Sequence, residues 1–330
     1  MPQTLSLLAP MYNEAEVIEP FFNEVLPILE SLPLEWEIVC VNDGSKDRTL
    51  ELLWQWHERE PRIKVINLSR NFGKERALTA ALDFAAGDAV IPIDADLQDP
   101  PDLIPRMVEL WQQGFDVVNA VRKSRDCDSP LKQTTARLFY RVINRISDVD
   151  IPRDVGDYRL LSRRVCEVLR SMRETHRFMK GLFSWVGFPA TSLYFERKPR
   201  AAGTTKWNYW RLWNLALEGI TSFSTVPLKI ASYIGFIAAV LGLLYAIYLV
   251  ARTLAFGDPV KGYPSLMTAV LFFGGVQLLF IGVIGEYIAR IQDEVKGRPI
   301  YVIESIRGIC RSTGTPDLHT ERRRATIYPD

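Results

Sequence analysis

The chain contains 330 residues, 48% of them hydrophobic, and its 40 Lys and Arg side chains almost balance its 39 Asp and Glu side chains. This length allows a large core divided between about two domains, and a net charge of +1 gives no general attraction to nucleic acid. No two glycines are separated by one residue, so the dinucleotide-binding fingerprint is absent. A P-loop has no support because Gly73-Lys74 continues with Glu75, and the three histidines form no zinc-hydrolase motif.

In the first half of the chain, short apolar segments alternate with longer segments whose apolar residues recur at helical spacing. Strands are predicted at Thr4–Pro10, Trp36–Val41, Ile63–Leu68, Ala89–Ile93 and Phe115–Val121. Helices are predicted at Glu14–Leu32, Asp47–Arg59, Lys74–Ala86 and Asp102–Gln113. This order predicts βαβ units and therefore an α/β, Rossmann-like domain with a mainly parallel sheet.

Two carboxylates follow the predicted fourth strand, in the run Ile91-Pro92-Ile93-Asp94-Ala95-Asp96. Because Pro100 and Pro101 prevent the strand from continuing, Asp94 and Asp96 are expected to project from its carboxyl end. Ligands of open α/β sheets bind at that edge. Two such oxygen donors can share Mg²⁺ or Mn²⁺ with phosphate oxygens and water. From these residues alone, a solvated aspartate pair that caps a turn remains the alternative.

Two long uncharged segments lie in the second half of the chain. The first, Ile230 to Ala251, has 22 residues, enough for a helix to cross about 30 Å of hydrocarbon. The second extends from Ser265 to Gly285. A pair of buried core helices is the alternative, but the uninterrupted apolar length favours two transmembrane helices.

A basic and aromatic segment precedes the first of these predicted helices. Between Arg197 and Arg211 there are five Lys or Arg residues and no acidic residue, interleaved with tryptophan and tyrosine. This composition is typical of a segment at the membrane interface, with a basic solvated helix as the alternative. The expected division is a cytosolic α/β domain at 1–210, an amphipathic interfacial segment at 211–229, transmembrane helices at 230–252 and 264–289, a short exported loop at 253–263, and a cytosolic segment and tail at 290–330.

The expected location is a bacterial-type inner or plasma membrane, with the α/β domain and both termini in the cytoplasm. Residues Met1 to Pro10 lack the basic and apolar regions of a signal peptide. Two spans would return the chain to its starting side. The basic residues Arg290, Lys296 and Arg298 after the second span agree with the positive-inside rule.

Ordered polar motifs follow the predicted strands, and together with the two apolar segments they resemble one family. The motifs are Ala9-Pro10-Met11-Tyr12-Asn13-Glu14, Val41-Asn42-Asp43-Gly44-Ser45-Lys46-Asp47, Ser69-Arg70-Asn71-Phe72-Gly73-Lys74, the Asp-x-Asp-Leu-Gln-Asp-Pro-Pro run from Asp94, Gly156-Asp157-Tyr158-Arg159-Leu160, Gly285-Glu286-Tyr287-Ile288 and Glu294-Val295-Lys296-Gly297-Arg298-Pro299. Over nearly its whole length, the chain resembles the family 2 inverting glycosyltransferases of the GT-A fold. Within them it is most similar to polyprenyl-phosphate glycosyltransferases, a group that includes bactoprenol glucosyltransferases and dolichol-phosphate mannose synthases.

The resemblance implies a metal-dependent site for a nucleotide-sugar donor. The implied nucleotide-sugar contacts are Pro10, Tyr12, Glu14, Asp43, Arg70, Lys74, Asp94, Ala95, Asp96, Arg200 and Lys206. Asp96 and Gln98 match metal-ligand positions, and Asp94 is expected to act through the Mg²⁺ or Mn²⁺ ion or its water. Two alternatives remain open. Asp43 can instead cap the helix near Asp47, and Lys74 can be a solvated surface residue.

The resemblance also implies a lipid-phosphate acceptor, bound by Arg122 and Arg137. The region from Arg122 to Arg145 has seven Lys or Arg residues against two Asp residues, although a solvated basic helix would show the same excess. A phosphate monoester is largely dianionic at neutral pH and needs no strong general base. Asp157 is placed in the catalytic cleft with Asp94 and Asp96, where it can orient basic side chains or the sugar. Pairing with Arg159 for local structure is the alternative.

The expected activity is the inverting transfer of one hexose, most directly glucose from UDP-glucose, to undecaprenyl or another polyprenyl phosphate. The expected partners are the UDP-sugar, the polyprenyl phosphate, the lipid bilayer and further copies of the chain, with no nucleic acid. Transfer of mannose or a modified arabinose remains open. A processive polysaccharide synthase and a noncatalytic nucleotide-binding membrane scaffold are the remaining alternatives, although the chain has no Gln-x-x-Arg-Trp motif.

Overall fold

The structure is a computed structural model that describes residues 3–122, 155–175, 177, 179–196, 226–256 and 262–309. Its strands are β1 (Thr4–Met11), β2 (Glu35–Asn42), β3 (Ile63–Leu68), β4 (Ala89–Pro92), β5 (Val117–Arg122), β6 (Val155–Ser162), β7 (Ala190–Phe195) and β8 (Ile303–Arg307). Its helices are α1 (Ala15–Glu30), α2 (Thr49–Arg59), α3 (Lys74–Phe84), α4 (Ile104–Gln112), α5 (Arg163–Ser171), α6 (Met179–Trp185), α7 (Val226–Phe256) and α8 (Tyr263–Val295), and a short 3-10 helix covers Pro101–Leu103.

The strands form one eight-stranded sheet in the order β7-β5-β6-β4-β1-β2-β3-β8. Strands β4, β1, β2 and β3 are parallel to one another, and β5 is parallel to β7. Strand β6 is antiparallel to both β4 and β5, and β8 is antiparallel to β3. The sheet is therefore mixed, with mostly parallel strands, as in the Rossmann-like GT-A fold.

The predicted elements of the first 122 residues are confirmed to within one or two residues at each end. One helix differs in detail. The segment predicted as a helix from Asp102 to Gln113 begins as the 3-10 turn Pro101–Leu103 and becomes α-helical at Ile104. Pro101 and Pro105 lack backbone N–H groups and suit the first turns of helices, where those groups have no partner inside the helix.

Helices cover both faces of the central strands, which explains their almost uninterrupted apolar sequences. Leu7 and Ile38 belong to the cluster that contains apolar residues of α1, α2 and α4, whereas the next residues, Leu8 and Val39, belong to the cluster of α3, α5 and α6. On the first face, α1 buries Phe21 and Phe22 completely, and burial of such side chains stabilises a fold by about 1.5–3 kcal/mol each. This packing holds the strand ends at fixed positions.

Helices α7 and α8 contain 31 and 33 residues and include the predicted spans 230–252 and 264–289. Both expose large apolar side chains, such as Phe236 on α7 and Leu278 on α8. Among the described residues, the segment Phe272–Val295 is long and apolar enough to cross a membrane, with a mean hydropathy of 1.7 and no buried part. One possible membrane-spanning helix is thus present, and the second span remains a prediction.

The chain after α8 returns to the sheet domain. The side chain of Glu294 accepts hydrogen bonds from the N–H and hydroxyl of Thr175, at 2.7 Å and 3.2 Å. Tyr301 donates to Asp83 Oδ2 at 2.7 Å, and β8 then pairs with β3 as the last strand of the sheet. The region predicted only as a carboxyl-terminal segment and tail therefore contains a strand of the sheet.

Candidate active site

Polar residues from five strands meet at one edge of the sheet. The parallel strands β1 to β4 end there, so the segments that follow Met11, Asn42, Leu68 and Pro92 lie side by side. Strand β6 runs in the opposite direction, which brings its first residues, including Asp157, to the same edge. The topology thus places the predicted strand-end motifs and Asp157 at the same edge of the sheet.

The segments after β1 and β2 are joined by hydrogen bonds. The N–H of Asn13 donates to Ser45 Oγ at 2.9 Å, and the Asn13 side-chain oxygen accepts the N–H of Lys46 at 2.8 Å. Asn13 has a φ of 52°, a left-handed conformation that asparagine adopts more readily than most residues. The N–H of Glu14 donates to Thr49 Oγ1 at 2.9 Å. These hydrogen bonds hold the segment that carries the half-buried residues Pro10, Tyr12 and Glu14.

Asp43 is almost completely buried and anchors the segment after β3. Its Oδ1 accepts the N–H of Phe72 at 2.7 Å, and its Oδ2 accepts the N–H of Gly73 at 2.9 Å. Burial raises the pKa of Asp43, and the two N–H donors oppose that rise. These bonds join Asp43 to the segment after β3, whereas the predicted alternative had Asp43 cap the helix near Asp47. Asp47 itself accepts the N–H groups of Thr49 and Ala15.

Gly44 permits the close approach of these two segments. Its φ is 64°, and a Cβ atom placed on it would lie 2.3 Å from the carbonyl carbon of Arg70 and 2.5 Å from the nitrogen of Asn71. Only glycine fits against this backbone without a shift. The exposed Arg70 lies beside the contact, with its guanidinium 4.4 Å from the centre of the Phe72 ring.

A chain of side-chain hydrogen bonds links this edge to β8. Asn42 donates to the Asn67 side-chain oxygen at 2.7 Å, and Asn67 donates to Glu304 Oε2 at 2.8 Å. Both asparagines are buried at the ends of β2 and β3. The strand that follows the long helices is therefore connected to the segments that carry the predicted nucleoside contacts.

Lys74, Asp94 and Asp157 form a charged cluster at the other half of the edge. The Lys74 Nζ atom lies 2.7 Å and 2.9 Å from the two oxygens of Asp94, and 2.8 Å from Asp157 Oδ2. The β4–β6 register, extended past its last pair, places residue 94 opposite residue 157. Burial disfavours the charge on Lys74, but the two carboxylates raise its pKa well above the usual range. Lys74 is therefore an ion-paired ammonium, and its side chain is still 43% exposed.

Asp96 and Gln98 project from a turn that follows this cluster. The N–H of Gln98 donates to Asp96 Oδ1 at 3.2 Å, and both side chains are half-buried. Leu97 between them has a φ of 55°, a strained conformation for such a residue, and its side chain is buried. Packing of Leu97 thus holds the turn that presents the two oxygen-bearing side chains.

The side-chain oxygens of Asp96 and Gln98 fit a divalent cation that receives most of its ligands from phosphate oxygens and water. Among the described residues, no group of three His, Cys, Asp or Glu side chains is arranged to hold a metal ion. Mg²⁺ and Mn²⁺ commonly take one or two protein carboxylates and complete their shells with phosphate oxygens and water. Asp96 and Gln98 are suited to such a site, whereas both oxygens of Asp94 already contact Lys74.

Arg122 lies at the end of β5, next to a carboxylate that the sequence did not single out as functional. Its guanidinium is 3.8 Å from Asp99 Oδ1, and Asp99 is buried. Tyr158 donates from its hydroxyl to the Pro100 carbonyl at 2.9 Å. Burial, reinforced by the negative charges of Asp99 and Asp102, raises the pKa of Tyr158 well above its usual range, so the hydroxyl stays a donor. Asp99 thus lies against the predicted phosphate-binding arginine, and Tyr158 holds the backbone of the adjacent Pro100.

Arg159 is buried beside Asp157. It donates to the Gly156 carbonyl at 2.7 Å and stacks on Phe183, with its guanidinium 4.2 Å from the ring centre. Burial lowers the pKa of Arg159 to about 10, although the charge of Asp157 opposes this change. The local structure of Arg159 therefore includes contacts to the backbone and an aromatic ring.

The structure brings most of the predicted site residues to this edge. They are Pro10, Tyr12, Glu14, Asp43, Arg70, Lys74, Asp94, Ala95, Asp96, Gln98, Arg122 and Asp157. Arg137, Arg200 and Lys206 lie outside the described residues. Sequence reasoning missed the supporting roles of Asn67, Asp99 and Glu304. A polar residue at the end of an apolar strand is the signal that could have identified Asn67.

The mixed sheet and its polar edge define a GT-A domain. Residues 6–170 match Glycosyl transferase family 2, and residues 226–291 match the GtrB C-terminal hairpin. The chain belongs to glycosyl transferase family 2, and it combines this enzyme domain with the hairpin. The hairpin match begins at the first residue of α7 and ends within α8.

Relatives with high identity extend over nearly the whole chain. An uncharacterized glycosyltransferase of Synechocystis sp. is 52% identical over 305 residues, which cover 92% of this chain and 96% of the relative. The SfII prophage-derived bactoprenol glucosyl transferase of Shigella flexneri is 50% identical over 91% of this chain and 97% of its own length. A prophage bactoprenol glucosyl transferase homolog of Escherichia coli is 48% identical over 92% of this chain and 99% of its own length.

Proposed function

We propose that this protein transfers one hexose, most directly glucose from UDP-glucose, to undecaprenyl phosphate or a related polyprenyl phosphate, with inversion at the anomeric carbon. The observation that carries this proposal is the 50% identity to a bactoprenol glucosyl transferase over 91% of the chain. The shared length includes both the enzyme domain and the hairpin. The products are the polyprenyl-phosphate sugar and UDP.

The nucleotide-sugar donor binds at the part of the sheet edge formed by the segments after β1, β2 and β3. Pro10, Tyr12, Glu14 and Asp43 supply or support the nucleoside pocket. Because Asp43 holds the backbone of Phe72 and Gly73, its contribution includes the shape of that pocket. Arg70, Lys74, Arg200 and Lys206 add positive charge near the diphosphate, and Ala95 is an uncharged contact of the nucleotide sugar.

Asp96 and Gln98 hold a divalent cation, Mg²⁺ or Mn²⁺, and Asp94 lies beside them. When bound, the ion supplies positive charge that stabilises the departing UDP. Asp96 and Gln98 are half-buried in the turn at the edge of the sheet. The turn at Leu97 keeps the two side chains in place relative to the end of β4.

The acceptor phosphate binds at Arg122, with Arg137 as a further contact. An oxygen of the phosphate attacks the anomeric carbon, and the bond between that carbon and the UDP oxygen breaks. Because the phosphate is already largely dianionic at neutral pH, the attack requires no strong general base. Asp157 orients Lys74 and the reacting groups at the cleft.

The two long helices hold the domain against the membrane that contains the acceptor's isoprenoid tail. In this proposal α7 and α8 both span the bilayer, the segment before α7 lies at its interface, and the residues between the two helices form the exported loop. The catalytic domain and both termini face the cytoplasm, in a closed homo-oligomer. Only the phosphate of the acceptor then has to enter the cleft.

The test supplies purified full-length protein with radiolabelled nucleotide sugars, Mn²⁺ or Mg²⁺, and undecaprenyl phosphate in vesicles. We expect UDP-glucose to give labelled lipid that carries a single hexose. Labelled lipid from another donor alone would replace glucose with that sugar. An elongating polymer would indicate a synthase, and a folded protein that labels no lipid with any donor would contradict transfer.

A further inference from the structure

Lys74 joins two aspartates from different strands. Its Nζ atom is 2.7 Å and 2.9 Å from the oxygens of Asp94 and 2.8 Å from Asp157 Oδ2. The side chains of Lys74 and Asp94 are 43% and 38% exposed, but that of Asp157 is only 15% exposed. One ammonium therefore offsets two carboxylates, one of which has little access to water.

The turn before α3 determines where Lys74 points. Lys74 is the first residue of the helix, and the preceding Gly73 has a φ of 96°. The N–H of Gly73 is held by the buried Asp43. This anchored turn directs Lys74 across the edge toward the ends of β4 and β6.

A divalent cation at Asp94 would have to share that carboxylate with the ammonium. Like charges repel more strongly where water is partly excluded, so Lys74 opposes a metal ion that uses Asp94. Asp96 and Gln98 lie further along the turn, where the N–H of Gln98 donates to Asp96 Oδ1. The ammonium-bound Asp94 thus comes two residues before the first residue of the predicted metal-binding pair.

We propose that Lys74 is a positioning residue that serves as a built-in counter-ion for Asp94 and Asp157 and competes with the divalent cation for Asp94. This inference rests on the proposed function and deepens it, because it assigns a role in metal binding and turnover to the contacts of Lys74 with Asp94 and Asp157. Lys74 keeps Asp157 next to the reacting groups. Its removal then has two opposite effects: the metal binds more tightly and transfer becomes slower.

The direct test measures Mn²⁺ binding to the full-length protein by electron paramagnetic resonance, without nucleotide or acceptor. Lys74→Met is expected to bind Mn²⁺ at least about fivefold more tightly than the unmodified protein. The same variant should transfer sugar with a lower kcat. Lys74→Arg keeps the positive charge and should show no gain in Mn²⁺ affinity.

Two further variants separate competition at Asp94 from general charge effects. In Asp94→Asn/Lys74→Met the gain in affinity should disappear, because the carboxylate released by the lysine is gone. Lys296→Met removes a lysine from an exposed pair with Asp293 and should leave Mn²⁺ affinity unchanged. Circular dichroism and thermal unfolding verify that each variant is folded.

The inference is overturned if folded Lys74→Met binds Mn²⁺ no more tightly than the unmodified protein, or if neither binds it. The readout does not depend on sugar transfer. Tighter Mn²⁺ binding in Lys74→Met, in a protein that labels no polyprenyl phosphate, would preserve the counter-ion role and reject the proposed function. Sugar transfer by the unmodified protein, with no gain in Mn²⁺ affinity in Lys74→Met, would reject the counter-ion role and preserve the proposed function.

Discussion

The two halves of the sheet edge are held together by different interactions. After β1, β2 and β3, the segments are joined mainly by hydrogen bonds to backbone N–H groups, as at Asn13 and Asp43, and by the close approach of Gly44. At the ends of β4 and β6, the cluster around Lys74 consists of ion pairs. Backbone bonds define a shape before a ligand arrives, whereas ion pairs can exchange partners with a charged ligand.

This difference assigns distinct tasks to the two halves. The hydrogen-bonded half is suited to recognising the nucleoside, which requires a fixed outline. The ion-paired half is suited to the proposed cation and to the diphosphate and acceptor phosphate, whose charges change during the proposed reaction. Substitutions in the first half should therefore reduce stability and donor affinity, and those in the second half should reduce turnover.

The largest effect is expected for Asp96→Ala in the ion-paired half. Loss of the metal-binding carboxylate should reduce transfer by at least about a hundredfold, since positive charge at the leaving group is a major part of catalysis. Thermal stability should change little because Asp96 is half-buried on a turn. The measurement is the initial rate of lipid labelling, with the exposed Asp102→Ala as control. A rate within about tenfold of the unmodified protein would contradict the metal role.

Gly44→Ala should have the next largest effect, in the hydrogen-bonded half. The new Cβ would collide with the backbone of Arg70 and Asn71 in addition to straining the positive φ. Gly114→Ala is a matched control, because Gly114 also has a positive φ, of 104°, but a Cβ there meets nothing within 4 Å. We expect Gly44→Ala to lose about 1–3 kcal/mol more free energy of unfolding than the control, with weaker UDP binding. Equal losses in thermal unfolding would show that the close approach is unimportant.

A smaller effect is expected for Asn67→Ala, which removes the link between Asn42 and Glu304. Leaving the buried Asn42 side chain without its partner should cost about 1–2 kcal/mol of stability. The KM for the nucleotide sugar should rise with little change in kcat, as measured by steady-state transfer. Glu304→Gln keeps an acceptor for Asn67 and serves as the control. A fall in kcat alone would argue against a connection between β8 and the nucleoside segments.

Much of the first 122 residues could be predicted because local signals agree there. Strand β3 has the predicted bounds Ile63–Leu68, since an apolar run is enclosed by polar turns. The sequence indicates strand β6 less clearly, because the charged Arg159 interrupts its apolar residues. In the structure the Arg159 guanidinium contacts the Gly156 carbonyl and the ring of Phe183. Strand β8 is half-exposed at the sheet edge and depends on pairing with a strand far away in the chain.

The site likewise has features that the sequence could predict and features that it could not. Motifs after the strands identified the side chains, because parallel strands must end at the same edge. Their contacts could not be predicted in this way. Asp43 accepts N–H groups from residues 29 and 30 positions later, and Lys74 reaches Asp157 on an antiparallel strand. Such pairings follow from the register of the sheet, which a single sequence does not specify.

The most direct test of the central claim is the structure of the product lipid. Full-length protein is incubated with UDP-glucose, a divalent cation and undecaprenyl phosphate, and the lipid is analysed by mass spectrometry and nuclear magnetic resonance. The account predicts one hexose on the lipid phosphate, with an anomeric configuration opposite to that of the donor. A retained configuration, more than one sugar per lipid, or folded protein that forms no sugar lipid would contradict it.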